Sequence, residues 1–232
     1  MSVLVVTGTG TGVGKTAVTA AIAALAVDRG WSVAAVKPAQ TGVGPDEPGD
    51  LAEVTRLAPG VRPVECARFP DALSPEAAAR RAGETGPAMD EVARRIRACA
   101  AECELVLVEG AGGLLVRYAD GWTLADLARA LDVPMLVVTA AGLGTLNHTA
   151  LTLEVMAGRG LRLDGLMIGS WPAEPDLAAR ANLTDLPVLA GRPLAGALPA
   201  GAPHRPDFLD SARHGLSPAY GGMFQGQRKD DP

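Results

Sequence analysis

The sequence predicts a three-layer α/β domain, with a mostly parallel central sheet and helices on both faces. Three observations carry this. The segments VLVV, VAAV, LVLV and MLVV are continuous apolar runs rather than alternating ones, the pattern of strands buried on both faces. Longer stretches with helix signals separate them, so consecutive strands are joined by helical crossovers. Finally, 48% of the 232 residues are hydrophobic but only 3% are aromatic, which suits one sizeable core built on Ala, Val and Leu.

The elements follow in chain order. Residues 3–7 form the first strand, and a glycine-rich turn leads into a helix over 15–29 that Gly30 closes from just beyond its end. A second strand spans 31–36. The stretch 37–50 holds three Gly and three Pro and reads as a loop, and 50–57 as a short helix. Ser74-Pro75-Glu76 has the Ser and Pro of a helix start, running to Arg81. A further helix covers 87–101. The strand 105–108 stops at Glu109. Thr123 and Asp126 form a capping box before the next helix. Then come a strand at 135–139, a helix at 145–157, and two more strands at 166–169 and 188–190. No internal repeat and no second core is visible. The expected organisation is one nucleotide- and substrate-binding domain over 1–212. From Pro199 the chain is rich in Pro and Gly, and 213–232 reads as a loosely ordered tail.

Composition narrows the function. The net charge of −5 argues against nucleic acid as a partner. No apolar run approaches the ~20 residues of a membrane span. The opening MSVLVV runs straight into a strand without a basic leader region, so a cytoplasmic protein is expected. Cys66, Cys99 and Cys103 fit a reducing compartment. Cys99 and Cys103 share a helix face and read as small core residues rather than half a metal site.

The turn VVTGTGTGVGKT, residues 5–16, carries the first chemistry. Its glycines let successive backbone N–H groups curl around an anion, and the following helix adds its N-terminal dipole. Gly12, Val13, Gly14, Lys15, Thr16 and Ala17 would wrap the phosphates, with Lys15 reaching the β/γ-phosphates and the Thr16 hydroxyl ligating Mg²⁺. The dinucleotide spacing G-x-G-x-x-G fails here. Measured from Gly8, the loop is also one residue longer than the usual phosphate loop. Lys37 ends the second strand, at the sheet edge where ligands bind in open α/β folds. Glu109 ends the third at the same edge, and Gly110, Ala111, Gly112 and Gly113 keep the backbone approachable there. A carboxylate in that place suits Mg²⁺, with Asp50 as a second candidate.

Together TGTGTGVGKT, KPAQTG, VEGAGGLLV and LGTLNHTALT resemble the dethiobiotin synthase family, in order and at family spacing from residue 3 to about 200. The resemblance implies a P-loop NTPase-like fold and an Mg²⁺- and nucleotide-dependent ligase of biotin biosynthesis. Its substrate would be 7,8-diaminononanoate. One amine takes up CO₂ as a carbamate, which attacks the γ-phosphate. The second amine then closes the ureido ring and expels phosphate. By the same resemblance, Lys15 and Lys37 serve the reaction as catalytic cations, and Thr16, Asp50 and Glu109 hold the metal. Thr41, Gly112 and Gly113 face the substrate. Family members are homodimers, and Gly144, Thr145, Leu146 and Asn147 would offer N–H groups to the substrate carboxylate of the neighbouring chain. Gly169, Ser170 and Trp171, with Leu198, Pro199 and Ala200 of GALPAG, would border the base. Relatives often carry Asn where this chain has Gly169-Ser170-Trp171-Pro172, so ATP is the default nucleotide and CTP or GTP are alternatives. Gly12 replaces an acidic residue found in some relatives. His148 reads as a satisfied helical histidine. Two other readings stay open. One is an amide-forming synthetase on another substrate. The other is a partition-type switch ATPase, although Gly10 stands where those proteins carry an extra loop lysine.

Overall fold

A computed structural model describes residues 2–225. The chain runs through β1 (Ser2–Gly8), α1 (Lys15–Asp28), β2 (Val33–Lys37), β3 (Gln40–Thr41), α2 (Asp50–Leu57), β4 (Arg62–Glu65), β5 (Arg68–Phe69) and α3 (Pro75–Ala82). It continues through α4 (Met89–Glu102), β6 (Leu105–Glu109), α5 (Leu124–Leu131), β7 (Met135–Thr139), α6 (Thr145–Gly158), β8 (Leu163–Trp171), α7 (Leu177–Ala190), β9 (Gly196–Pro199) and α8 (Phe208–Gly215). Seven strands form one sheet in the order β4-β2-β6-β1-β7-β8-β9, every neighbouring pair parallel. β3 and β5 pair separately. From β1 the chain crosses to β2 on one side, and from β6 it crosses over β1 to β7 on the other. The carboxyl end of β1 therefore lies at a switch point, where open sheets bind ligands.

Two apolar cores lie on the two faces of the sheet. α1, α2 and α8 cover one, and residues of α4, α5, α6 and α7 pack on the other. α1 is rich in alanine and buried over most of its length, and its small side chains let it lie close on the sheet. The capping box at Thr123 forms as the sequence predicts: Thr123 accepts from the Asp126 N–H and Asp126 accepts from the Thr123 N–H.

Four expectations differ from the structure. The strand expected at 188–190 is the end of α7. Ala179, Asn182 and Leu186 are buried while Val188 is 78% exposed, a helical spacing rather than an alternating one. β2 begins at Val33, because the Trp31 N–H still bonds to Ala26 in the α1 terminus. β3, β4, β5 and β9 were not expected as strands, and β3 lies within the stretch 37–50 that reads as a loop. Over 213–225 the chain is not loosely held. α8 runs to Gly215, Leu216 is fully buried, Gly196 and Leu216 form an antiparallel bridge, and the Phe224 N–H bonds to the Leu216 carbonyl. The rest of the expected tail lies outside the described residues.

Candidate active site at the carboxyl edge of the sheet

The glycine turn is seated on β8. Gly14 caps α1 with φ 96°, and a Cβ there would lie 2.6 Å from the Gly169 carbonyl oxygen. A Cβ on Gly169 would lie 2.1 Å from the Val13 oxygen. Backbone therefore rests on backbone at this point, and glycine is required on both sides. The seating leaves the first turn of α1 with its N–H groups open to the cleft, as every helix start does. Lys15 folds back over the turn, its Nζ donating to the Gly10 carbonyl at 2.8 Å.

Lys37 is the centre of the charge arrangement. Its side chain is 3% exposed, and the ammonium donates to Glu109 Oε1 at 2.8 Å, to Asp50, and to the Gly110 carbonyl at 3.3 Å. Burial alone would lower its pKa, but the Glu109 and Asp50 carboxylates outweigh that and hold it above the ordinary lysine value. Lys15 lacks such direct pairing. Burial, helped by the nearby Lys37 charge, drops it to about 8. The Thr16 hydroxyl donates to Glu109 Oε1 at 2.8 Å. Glu109 Oε2 is buried without a hydrogen-bond partner among the described residues.

Neighbouring residues fix these groups in place. The Asp50 N–H donates to Gln40 Oε1 at 2.8 Å, an approach that a side chain at Gly49 would block. The Ala111 N–H donates to the Tyr118 hydroxyl at 2.7 Å, and the Tyr118 ring stacks on Trp122 at 4.5 Å. Burial raises the Tyr118 phenol to about 12. The donor set Thr16, Asp50 and Glu109 is all oxygen, with one carboxylate oxygen unsatisfied, so it fits a hard cation such as Mg²⁺. Among the described residues no three His, Cys, Asp or Glu side chains gather as a metal cage. A cation here would draw its other ligands from phosphate oxygens.

Gly12, Gly14, Lys15, Thr16, Lys37, Thr41, Asp50, Glu109, Gly110, Ala111 and Gly112 line one cleft of about 680 Å³. Val13 packs beneath the turn, and Ala17 is half-buried one residue beyond Thr16. Gly113 lines a neighbouring open groove of about 350 Å³ with Thr9 and His148. Gly169 is buried under the turn, Ser170 is exposed and Trp171 is half-buried. Leu198 points into the core, so its side chain cannot meet a base, whereas Pro199 and Ala200 are half-buried. The Ala200 N–H donates to the Trp171 carbonyl at 2.6 Å, joining the ends of β8 and β9. Gly144 and Asn147 are exposed at the start of α6, with Thr145 buried and Leu146 half-buried, and none of the four lines the main cleft. Sequence reasoning missed Ala72, Leu73, Ser74 and Pro75, which form the wall facing the turn. The Ser74-Pro75 helix start was the available signal. Among the described residues Ser74 makes no side-chain cap bond to α3, and it lines the cleft.

A helix start and two lysines brought into one cleft at a sheet switch point mark a P-loop nucleotide-using enzyme. Residues 2–203 match the AAA domain family. A Frankia casuarinae protein named ATP-dependent dethiobiotin synthetase BioD is 64% identical over 231 residues, 98% of this chain and 97% of its own. A Streptomyces coelicolor protein of the same name is 59% identical over 227 residues, 97% of this chain and 95% of its own. The chain belongs to the dethiobiotin synthetase family. Among solved structures, a ParA family ATPase from Chlorobium tepidum superposes with a TM-score of 0.58 at 15% identity, covering 93% of this chain and 90% of that one. The MinC:MinD cell division complex of Aquifex aeolicus gives 0.57 at 12%, covering 91% and 85%. At these identities the likeness is one of fold.

Proposed function

We propose that the protein makes dethiobiotin from 7,8-diaminononanoate, CO₂ and ATP, the penultimate step of biotin biosynthesis. The observation that carries this is the buried Lys37 ammonium, fixed by two carboxylates and a carbonyl in the cleft that Lys15 and Thr16 enter. The chemistry needs fixed positive charge rather than a nucleophilic side chain. One substrate amine adds to CO₂ and loses a proton, giving a carbamate. A carbamate oxygen attacks the γ-phosphorus and the nucleoside diphosphate leaves. The second amine attacks the carbamoyl carbon, loses a proton and expels phosphate. Lys37 and Lys15 balance the charge on the carbamate and phosphoryl oxygens. The first turn of α1 binds the phosphates. Thr16, Asp50 and Glu109 would hold Mg²⁺, which when bound neutralises phosphate charge.

The family's arrangement also supports a homodimer in which Gly144, Thr145, Leu146 and Asn147 take the carboxylate of substrate bound in the neighbouring subunit. Leu143 and Leu151, 94% and 58% exposed, give this region the apolar surface that a partner would cover. The free thiols of Cys66, Cys99 and Cys103 support a location in a reducing compartment such as the cytoplasm. The test is incubation with diaminononanoate, bicarbonate, Mg²⁺ and ATP, following product by mass. Dethiobiotin formed in step with ADP is expected. ADP without ring product would sink the reading in favour of a switch ATPase.

A further inference from the structure

A cluster of buried hydroxyls lies between the phosphate turn and α6. Thr139, at the end of β7, is fully buried. Its Oγ1 lies 2.6 Å from Thr145 Oγ1, 2.8 Å from Thr149 Oγ1 and 3.3 Å from Thr9 Oγ1. Thr145 Oγ1 also donates to the Ala140 carbonyl at 2.8 Å. Each hydroxyl has one proton to give, which fixes the direction of the chain. Thr145 spends its proton on Ala140, so toward Thr139 it can only accept. Thr139 then spends its own on Thr145, so Thr149 and Thr9 donate to Thr139. The bonds run Thr9 and Thr149 to Thr139, to Thr145, to the Ala140 carbonyl. Thr9 belongs to the phosphate turn, whose backbone is also tied to β7 by the Thr9 N–H bond to the Val138 carbonyl at 2.9 Å. Thr145 is the first residue of α6. From the far side Asn182 Nδ2 donates to the Ala141 and Gly142 carbonyls at 2.7 and 3.1 Å, so the intervening loop has little freedom of its own.

We propose that Thr139 is a positioning residue that couples the nucleotide site of one subunit to the substrate site of the other. The proposal rests on the reading above, in which the start of α6 serves the neighbour's substrate carboxylate. Filling the turn with phosphates fixes Thr9. Through Thr139 this fixes the first turn of α6, so the neighbouring site meets its acid with less ordering left to do. By linkage, the acid strengthens nucleotide binding by the same factor.

The experiment measures the Kd of 7,8-diaminononanoate calorimetrically, with and without a saturating non-hydrolysable ATP analogue and Mg²⁺. Wild type, Thr139→Val, Thr139→Ser and Thr9→Val are compared. In wild type the analogue should tighten substrate binding about fivefold or more. Thr139→Val, close in shape but unable to hydrogen-bond, should reduce that factor below about twofold, and Thr139→Ser should restore it. Thr9→Val cuts the link from a half-buried position outside the core, so it answers the question even if Thr139→Val does not fold. A wild-type factor near one, or a factor kept in the valine variants, overturns the proposal. The diaminononanoate methyl ester separates the two levels. If wild type binds ester and acid equally, the reading of α6 fails and the proposal with it. If the acid is preferred but the valine variants keep the coupling, only the role of Thr139 fails.

Discussion

At the scale of single residues, the two lysines of the cleft differ in what holds their protons. Lys37 sits between carboxylates, whereas Lys15, bonded to a neutral carbonyl, loses its proton near pH 8. Bound phosphates would keep Lys15 charged, so above pH 8 nucleotide binding takes up a proton. Affinity should then fall by up to about tenfold per pH unit. Calorimetry in buffers of different ionisation enthalpy checks this, with uptake near zero at about pH 7 and approaching one proton at about pH 9 expected from the lysine pKa. The same shift bears on folding. Between pH 8 and the ordinary 10.5 the unfolded chain binds more protons at this site, so its contribution to stability rises with pH across that window. Glu109 makes a different prediction. Glu109→Gln keeps the shape but gives up charge that Lys37 uses and that a hard cation would use. The Mg²⁺ concentration for half-maximal activity should rise about tenfold or more, with metal-free nucleotide binding changing less. An unmoved Mg²⁺ titration would place the metal elsewhere.

At the scale of elements, the ends of β8 and β9 bear on the choice of base. The polar groups there are backbone, the Ser170 hydroxyl and the Trp171 indole N–H, which only donates, and the Trp171 carbonyl is already taken by Ala200. A site that reads a base through a dedicated side chain can discriminate by ~10⁴. Without one, CTP and GTP should serve within about tenfold of ATP in kcat/KM, in parallel assays at matched Mg²⁺. Preference for ATP beyond about a hundredfold would count against this. Elements also show what the sequence made legible. β1, β2, β6 and β7 stand out because a strand buried on both faces is an unbroken apolar run, and the polar residue that stops it, such as Lys37 or Glu109, lands at the binding edge. β4 reads RPVE, with a proline that only an edge strand tolerates, and leaves no such trace. The end of α7 misleads because Val188-Leu189-Ala190 is a short apolar stretch with Pro187 before it, and only tertiary burial reveals the helical period. The wall from Ala72 to Pro75 was hidden for another reason. The pairing of Gln40 with Arg68 and of Thr41 with Phe69 helps fold it toward the cleft, and pairing between distant residues leaves no periodicity.

At the scale of the whole molecule, the C-terminal segment belongs to the body of the fold. Phe208, Ala212 and Leu216 are buried in the core that α1 shares, and Arg213 pairs with Asp28 at the end of α1. Deleting residues from 213 onward removes Leu216, whose burial alone contributes about 2 kcal/mol, and uncovers the edge of β9. The melting temperature should fall by about 5 °C or more, and an unchanged melt would show the segment to be dispensable. The charge arrangement of the cleft has a further consequence at this scale. The charged side chains that line it are two lysines and two carboxylates, which already balance each other, in a chain of net charge −5. The molecule therefore has little long-range pull on an anion, and capture of a nucleotide would rest on the N–H groups of the turn and on Lys15, which act at contact. Ions in solution weaken attraction over distance far more than they weaken contact. Nucleotide affinity should accordingly be almost indifferent to ionic strength, with a tenfold rise in salt at constant Mg²⁺ weakening Kd by less than about threefold. A steep loss would mean that distant charge, rather than the shape of the turn, draws the nucleotide in.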